Sequence, residues 1–309
     1  MRQHPILVTG IHRSGSTWIG KTVAVSPQVK YVHEPFNLQI KRANPLRKLG
    51  IYTLRSPLKF WFEYVDGKTN KKRQDEILNY IRAFYSISTV SVLHEFFKIR
   101  KPSDIKLFFN ELKSRSKRPL IKDPLALMSS AFIAEKLNAK VVVSVRHPAA
   151  FVASIIRKNW KFDFNNFANQ ERLLDEHLFP YKEAIISCSK KRLPLVDEAI
   201  LLWNIIYSFT SKLQDKYKDD WYFVKHEDLS EDPVEEYRKL FQYLSLEFNE
   251  IIVSQIQKST SGEIQDVLNR NAKENIKSWK NVLSNDEITK IKKQTNTVAS
   301  KFYTEESWS

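Results

Sequence analysis

Three apolar, β-branched runs, each followed by a loop and then by helical periodicity, predict an α/β chain built on a parallel sheet flanked by helices. The runs are residues 5–9, 140–145 and 221–225, and weaker runs at 28–32 and 119–122 bring the expected sheet to about five strands. Strands that alternate with helices require right-handed crossovers, and such sheets bind ligands at the carboxyl ends of their strands.

The helices follow in order. One is expected over 16–25, after the first loop, and one after His147-Pro148. Residues 195–217 carry apolar side chains at helical spacing. Asp232-Pro233 supplies an N-cap acid and a proline at the first helical position, and the helix runs through Tyr237, Leu240, Phe241 and Leu244. Ser284 and Glu287 have the spacing of a capping box. No repeat or low-complexity tract divides the chain, so residues 1–309 read as a single domain. Residues 37–118, between the second and third strands, exceed a simple crossover and read as a basic helical insertion, expected to cover the active face as an acceptor-side lid.

A chain of 309 residues with 42% hydrophobic content can bury the core this fold needs. One cysteine, Cys188, excludes an intramolecular disulfide framework and reads as a buried thiol. The apolar run at Ile6–Thr9 is too short for a secretory leader, and no stretch approaches the roughly 20 apolar residues of a membrane span, so a cytoplasmic location is expected. The net charge is +15, and residues 37–118 hold 19 Lys and Arg against 7 Asp and Glu. Such a field attracts nucleic acid, anionic lipid, acidic glycans and nucleotides alike and selects none of them.

The loop after the first strand narrows the choice. In Gly10-Ile11-His12-Arg13-Ser14-Gly15-Ser16-Thr17-Trp18, a buried strand enters a glycine-bearing turn and then a helix start rich in hydroxyls. Backbone N–H groups and the positive helix end then point at an anion. The loop is P-loop-like, but Ser16 stands where a Walker A loop has its lysine, and the cation is Arg13. A kinase or nucleotide triphosphatase would lack its β/γ-phosphate lysine.

At these residues the chain resembles the sulfotransferases that use 3′-phosphoadenosine 5′-phosphosulfate (PAPS), whose 5′-phosphosulfate loop reads basic-S-G-[TS]-T-[WFL]. Arg13-Ser14-Gly15-Ser16-Thr17-Trp18 matches it throughout. The resemblance implies that amides from Ser14 to Thr17, with the two hydroxyls, hold the 5′-phosphate. It also implies that Arg13 neutralises the leaving oxygen and that Trp18 packs near the adenine. Arg146 and, eight residues on, Ser154 match the pair that grips the 3′-phosphate. Lys122-Asp123-Pro124 and Val224-Lys225-His226-Glu227-Asp228-Leu229 are similar to segments of the carbohydrate-type and bacterial branch. Arg270, ahead of Trp279-Lys280-Asn281, is the loosest match to a basic residue returning to the 3′-phosphate. Residues 37–118 match nothing, which is where an acceptor would bind.

In that branch a glutamate just after the second strand takes the acceptor proton, and His33-Glu34-Pro35-Phe36 has the form of its motif, so Glu34 is the expected base. His33, His12, Asp123 and a residue of the insertion are the competing groups. Neighbours on an extended segment face opposite ways, so His33 should turn away if Glu34 turns in. The resemblance implies a metal-free transfer from PAPS to a hydroxyl or amine of a glycan or glycolipid, releasing adenosine 3′,5′-bisphosphate. Nucleic acid is not the expected partner. In residues 45–64, Lys and Arg alternate with large apolar side chains. That stretch reads either as a surface for anionic membrane, through Lys59, Trp61 and Phe62, or as a lid with its aromatics in a satellite core.

Overall fold

The computed structural model describes residues 4–39, 56–86, 89–260, 273 and 276–309. Among them, five parallel strands form one sheet: β1 (Ile6–Gly10), β2 (Val29–His33), β3 (Arg118–Lys122), β4 (Lys140–Val145) and β5 (Tyr222–Lys225). Their order is β2-β3-β1-β4-β5. Every residue of β1 and β3 is buried, as a parallel sheet covered on both faces requires. Ile6 lies between Leu120 and Lys140, so the first strand of the chain is the middle of the sheet. From β1 the chain builds toward β2 and β3 on one side, then crosses over to β4 and β5. The switch in direction opens a crevice at the carboxyl end of β1.

The period of two along the strands divides the core. Ile6, Val8, Leu120 and Val142 face α1 (Ser16–Val23) and the later helices α12 (Pro233–Tyr243) and α13 (Glu250–Thr260). Leu7, Ile121, Val141 and Val143 face the opposite layer. That layer holds α5 (Ser130–Leu137), α6 (Pro148–Lys158), α10 (Leu195–Tyr217) and α14 (Asn285–Ala299), and α11 (His226–Glu231) follows β5 directly. The expected strands and helices stand within two residues of their sequence positions. The capping box at Ser284 is formed, with Glu287 N–H donating to Ser284 Oγ at 3.2 Å and Ser284 N–H to Glu287 Oε2 at 2.8 Å. Cys188 is buried on α9 (Lys182–Lys190) and unpaired. No helix among the described residues is long and apolar enough to cross a membrane.

The insertion divides in two. Beyond residues 37–39, its first described part, residues 56–66, is clamped against α7 (Asn165–Ala168), the start of α8 (Glu171–Glu176) and the 3-10 turn Pro124–Ser129. Trp61 N–H donates to Asn166 Oδ1 at 2.8 Å, Tyr64 N–H to Gln170 Oε1 at 2.8 Å and Val65 N–H to Ser129 Oγ at 3.1 Å. Phe62 is fully buried in a packed aromatic cluster, so its ring cannot meet a headgroup, while Lys59 is exposed and Trp61 partly so. Residues 45–55 of that stretch lie outside the described residues. The second part comprises α2 (Lys71–Ala83), α3 (Thr89–Phe96) and α4 (Pro102–Ser114). Its α4 returns beside the edge strand, where Lys30 of β2 pairs with Glu111 at 2.5 Å. Among the described residues of the insertion, 56–66 and Asn37 approach the crevice, α2 reaches the turn after β2 through Tyr80, whose hydroxyl donates to Pro35 O at 3.1 Å, and α4 runs along the flank.

Candidate active site

The loop after β1 is closed by its own serine. Ser14 donates from its amide to Ile11 O at 3.2 Å, and its hydroxyl lies 2.5 Å from both Ile11 O and Ser144 Oγ. Ser14 thus braces the loop from within, and the amides that open toward the crevice are those after it. Two glycines make the turn possible. A Cβ on Gly10 would fall 2.5 Å from Ser144 Oγ, and Gly15, the N-cap of α1, has φ 94°. No side chain caps α1, so its first-turn amides are left for a ligand. Arg13 itself stands at φ 66°, an unfavourable conformation for a residue with a Cβ, held by the turn around it.

Arg13, Arg146 and Ser154 converge as the sequence led one to expect. Arg13 Nε donates to Ser154 Oγ at 3.0 Å, and Arg146 Nη1 donates to the carbonyl of Arg13. Arg146 is fixed from behind: its amide donates to Tyr207 Oη at 2.8 Å, and its carbonyl accepts from Trp203 Nε1 at 3.0 Å. Arg146 Nε is enclosed without a hydrogen-bond partner. Burial first, with Arg13 also contributing, lowers the guanidinium pKa of Arg146 against the pull of Glu227. Two converging cations and an unsatisfied guanidinium N–H describe a place for an anion, and the phosphates of a nucleotide donor fit it.

On the other side of β1, Glu34 ends β2 at φ 42°. One carboxylate oxygen is bonded to Lys122 Nζ, and the other accepts from Asn37 Nδ2 at 2.6 Å. The Lys122 side chain is wholly buried, and that of Glu34 is 15% exposed. Burial raises the Glu34 pKa, but the hydrogen bond and charge of Lys122, with Asn37, outweigh it, so the net shift is downward. Glu34 is therefore a carboxylate throughout the neutral range.

The competing histidines and Asp123 are otherwise occupied. Asp123, fully buried, accepts from Phe36 N–H at 2.5 Å and Leu125 N–H at 3.0 Å, which staples β3 to the turn after β2. Burial pushes its pKa up to about 7. His33 stacks on Tyr31 at 6.0 Å, two residues back on the same face, as strand alternation requires. His12 lies 3.8 Å from the Trp160 ring and 5.6 Å from Phe151, with both ring nitrogens enclosed; burial and then Arg13 push its pKa down to about 3. An acceptor could not reach it unless Trp160 moved.

Trp18 Nε1 donates to Ser259 Oγ at 3.1 Å, and its ring meets Tyr237 edge-on at 5.5 Å, so it joins α1 to α12 and α13. Ser16 and Thr17 start α1, and Arg270 lies outside the described residues. Sequence reasoning missed the Lys122 partnership of Glu34 and the position of His226. His226 Nδ1 would lie 2.5 Å from a Cβ on Gly15, so the ring backs directly on the loop. It also missed Glu227, which accepts from His147 N–H at 3.0 Å and Tyr303 Oη–H at 2.8 Å behind Arg146. Among the described residues, no group of His, Cys, Asp and Glu could hold a metal ion.

A central-strand loop with uncapped amides and two arginines defines a nucleotide-binding α/β protein built for an anion other than a Walker-type triphosphate. The family model for the sulfotransferase domain matches residues 3–303, and the chain belongs to that family: it is a PAPS-dependent sulfotransferase. Its fold is similar to that of a sulfotransferase domain from the curacin biosynthetic pathway, with a TM-score of 0.50, 14% identity, and coverage of 95% of this chain and 98% of that one. A sulfotransferase domain of the Synechococcus PCC 7002 olefin synthase gives a TM-score of 0.49 at 16% identity, covering 98% and 96%. Mouse sulfotransferase SULT7A1 complexed with PAP gives 0.48 at 12% identity, covering 97% and 86%. A search of curated proteins found no match.

Proposed function

We propose that Glu34 is the base for sulfuryl transfer from PAPS to a hydroxyl or amine of a glycan or glycolipid acceptor. The observation that carries this reading is the order of groups along the carboxyl edge of the sheet. Glu34 with Lys122 stands beyond β3 on one side of the loop, and Arg146 with Ser154 stands beside β4 on the other. Adjacent strands are about 4.8 Å apart, so the carboxylate strand lies about 10 Å from the loop strand. The donor phosphates would then occupy the arginine side and the acceptor the carboxylate side. Gly15, Ser16 and Thr17 would hold the 5′-phosphate, with Arg146 and Ser154 on the 3′-phosphate and Arg270 as a further contact.

In the reaction the acceptor oxygen or nitrogen forms a bond to sulfur as the bond from sulfur to the bridging oxygen breaks. The electron pair passes to that oxygen, where Arg13 offsets the charge, and the acceptor proton passes to Glu34. A carboxylate of lowered pKa accepts this proton once bonding to sulfur has made the acceptor acidic. Lys122 keeps Glu34 ionised and aimed.

The glycan reading draws support from Trp61 and Trp160, which stack at 5.7 Å and 9° beside His12 and are partly exposed. Such a surface suits the apolar face of a sugar ring. Buried, unpaired Cys188 accords with a reducing compartment, and cytoplasmic placement is part of the same reading.

Glu34→Gln keeps the shape of the side chain but cannot take the proton. Turnover with labelled PAPS should fall about 10²–10⁴-fold, while affinity for adenosine 3′,5′-bisphosphate stays at the wild-type value. Turnover near wild type would move the role elsewhere. A screen of glycans, glycolipids, peptides and phenols as acceptors tests the substrate class, and activity confined to phenols would overturn it.

A further inference from the structure

The flank of the molecule carries a feature the sulfotransferase reaction does not use. Helix α4 buries none of its 13 residues. Phe96 is 56% exposed, Leu107 63% and Phe109 63%, and Leu93, Phe97 and Ile105 are exposed beside them. Phe108 joins the two helices, meeting Phe96 at 6.2 Å and Phe109 at 5.4 Å, and the other exposed apolar side chains stand on the same hairpin.

The base of this hairpin is rigid. Arg115, buried, donates to Ala83 O at 2.8 Å and to Glu95 at 2.9 Å, and pairs with Glu111 at 3.1 Å. Glu111 in turn holds Lys30 on the edge strand. The hairpin is therefore fixed to the sheet by buried charge while its aromatic side faces solvent.

Its charges are sorted. Residues 89–117 contain three acids, Glu95, Asp104 and Glu111. Two are consumed by Arg115, and Asp104 accepts from the amides of Arg100 and Lys101 at 2.8 and 3.0 Å. The cations Arg100, Lys101, Lys106 and Lys113 are all exposed on α4 or in the turn that leads into it.

We propose that the α3–α4 hairpin is a docking surface for an anionic lipid bilayer. Rings at the level of the headgroups and lysines among the phosphates satisfy both halves of the patch together. A second copy satisfies only one, since a two-fold contact sets the same patch against itself and brings like cations face to face. The surface lies on the flank of the fold and takes no part in the proposed transfer.

Sedimentation with sucrose-loaded vesicles tests it. Wild-type protein should pellet with vesicles of one-third phosphatidylserine in phosphatidylcholine at low salt, stay in solution with pure phosphatidylcholine, and be released by high salt. Replacing Lys101, Lys106 and Lys113 with Gln should lower the partition coefficient about 10²-fold. Replacing Phe96, Leu107 and Phe109 with Ser should lower it at least tenfold. All six sites are exposed and remote from the donor site, so unchanged melting and unchanged binding of adenosine 3′,5′-bisphosphate will show that the variants are folded. Wild-type protein that ignores anionic vesicles overturns the proposal. So does a concentration-dependent dimer in gel filtration that the serine variant abolishes, because a second copy would then cover the patch.

Discussion

Glu34 and Lys122 show how one residue's chemistry depends on another's burial. A carboxylate whose pKa is lower in the folded chain than in the unfolded one stabilises the fold above the unfolded value of about 4.3, and that contribution is lost as pH falls through the folded pKa. Lys122→Met removes the cation and leaves Glu34 half-satisfied, which should cost about 3 kcal/mol in urea unfolding at neutral pH. The same variant should raise the pH at which turnover reaches half its maximum, because nothing then holds the carboxylate down. A pH profile identical to wild type would show that Glu34 does not govern the rate. Arg146→Ala should weaken adenosine 3′,5′-bisphosphate binding more than tenfold by calorimetry, the worth of a charge-assisted phosphate contact. Glu34, Arg13, Arg146 and Ser154 were legible because each follows a strand at a fixed offset. Lys122 was read only as part of a strand end. Its partnership depends on β3 lying next to β2, a pairing that no local pattern records.

At the level of elements, local signals were as good as the structure where they coincided with burial. The periodicity of residues 195–217 predicts a helix, and α10 matches it to the residue. The capping box of α14 was read from spacing alone, and Ser284→Ala should cost about 1 kcal/mol in thermal or urea unfolding. The insertion was opaque for the opposite reason. The apolar residues of α4 do not turn toward a core, so their period carries no message about which face packs. Its length marks this segment as an insertion, and among its described residues 56–66 are held beside the crevice by the side-chain bonds of Asn166, Gln170 and Ser129.

Over the whole molecule, donor binding should be felt as stability. Adenosine 3′,5′-bisphosphate at 100 times its dissociation constant should stabilise the fold by about 2.7 kcal/mol, seen as a rise in melting temperature that needs no magnesium. ATP with magnesium giving the larger rise would contradict the loop chemistry, in which Ser16 replaces the triphosphate lysine. The central position of β1 has a kinetic side. Ile6 finds its two neighbours only at Leu120 and Lys140, so β1 waits for much of the chain that follows it before it is paired on either edge. Closing such long loops is slow, and refolding from urea should run in the range of milliseconds to seconds or longer. Until then β1 is an apolar segment with open hydrogen-bonding edges, the kind of sequence that chaperones hold and that aggregates at high concentration. A nascent chain halted before residue 118 has neither partner for β1, and it should be degraded quickly by added protease, while the chain carried through to residue 309 should resist.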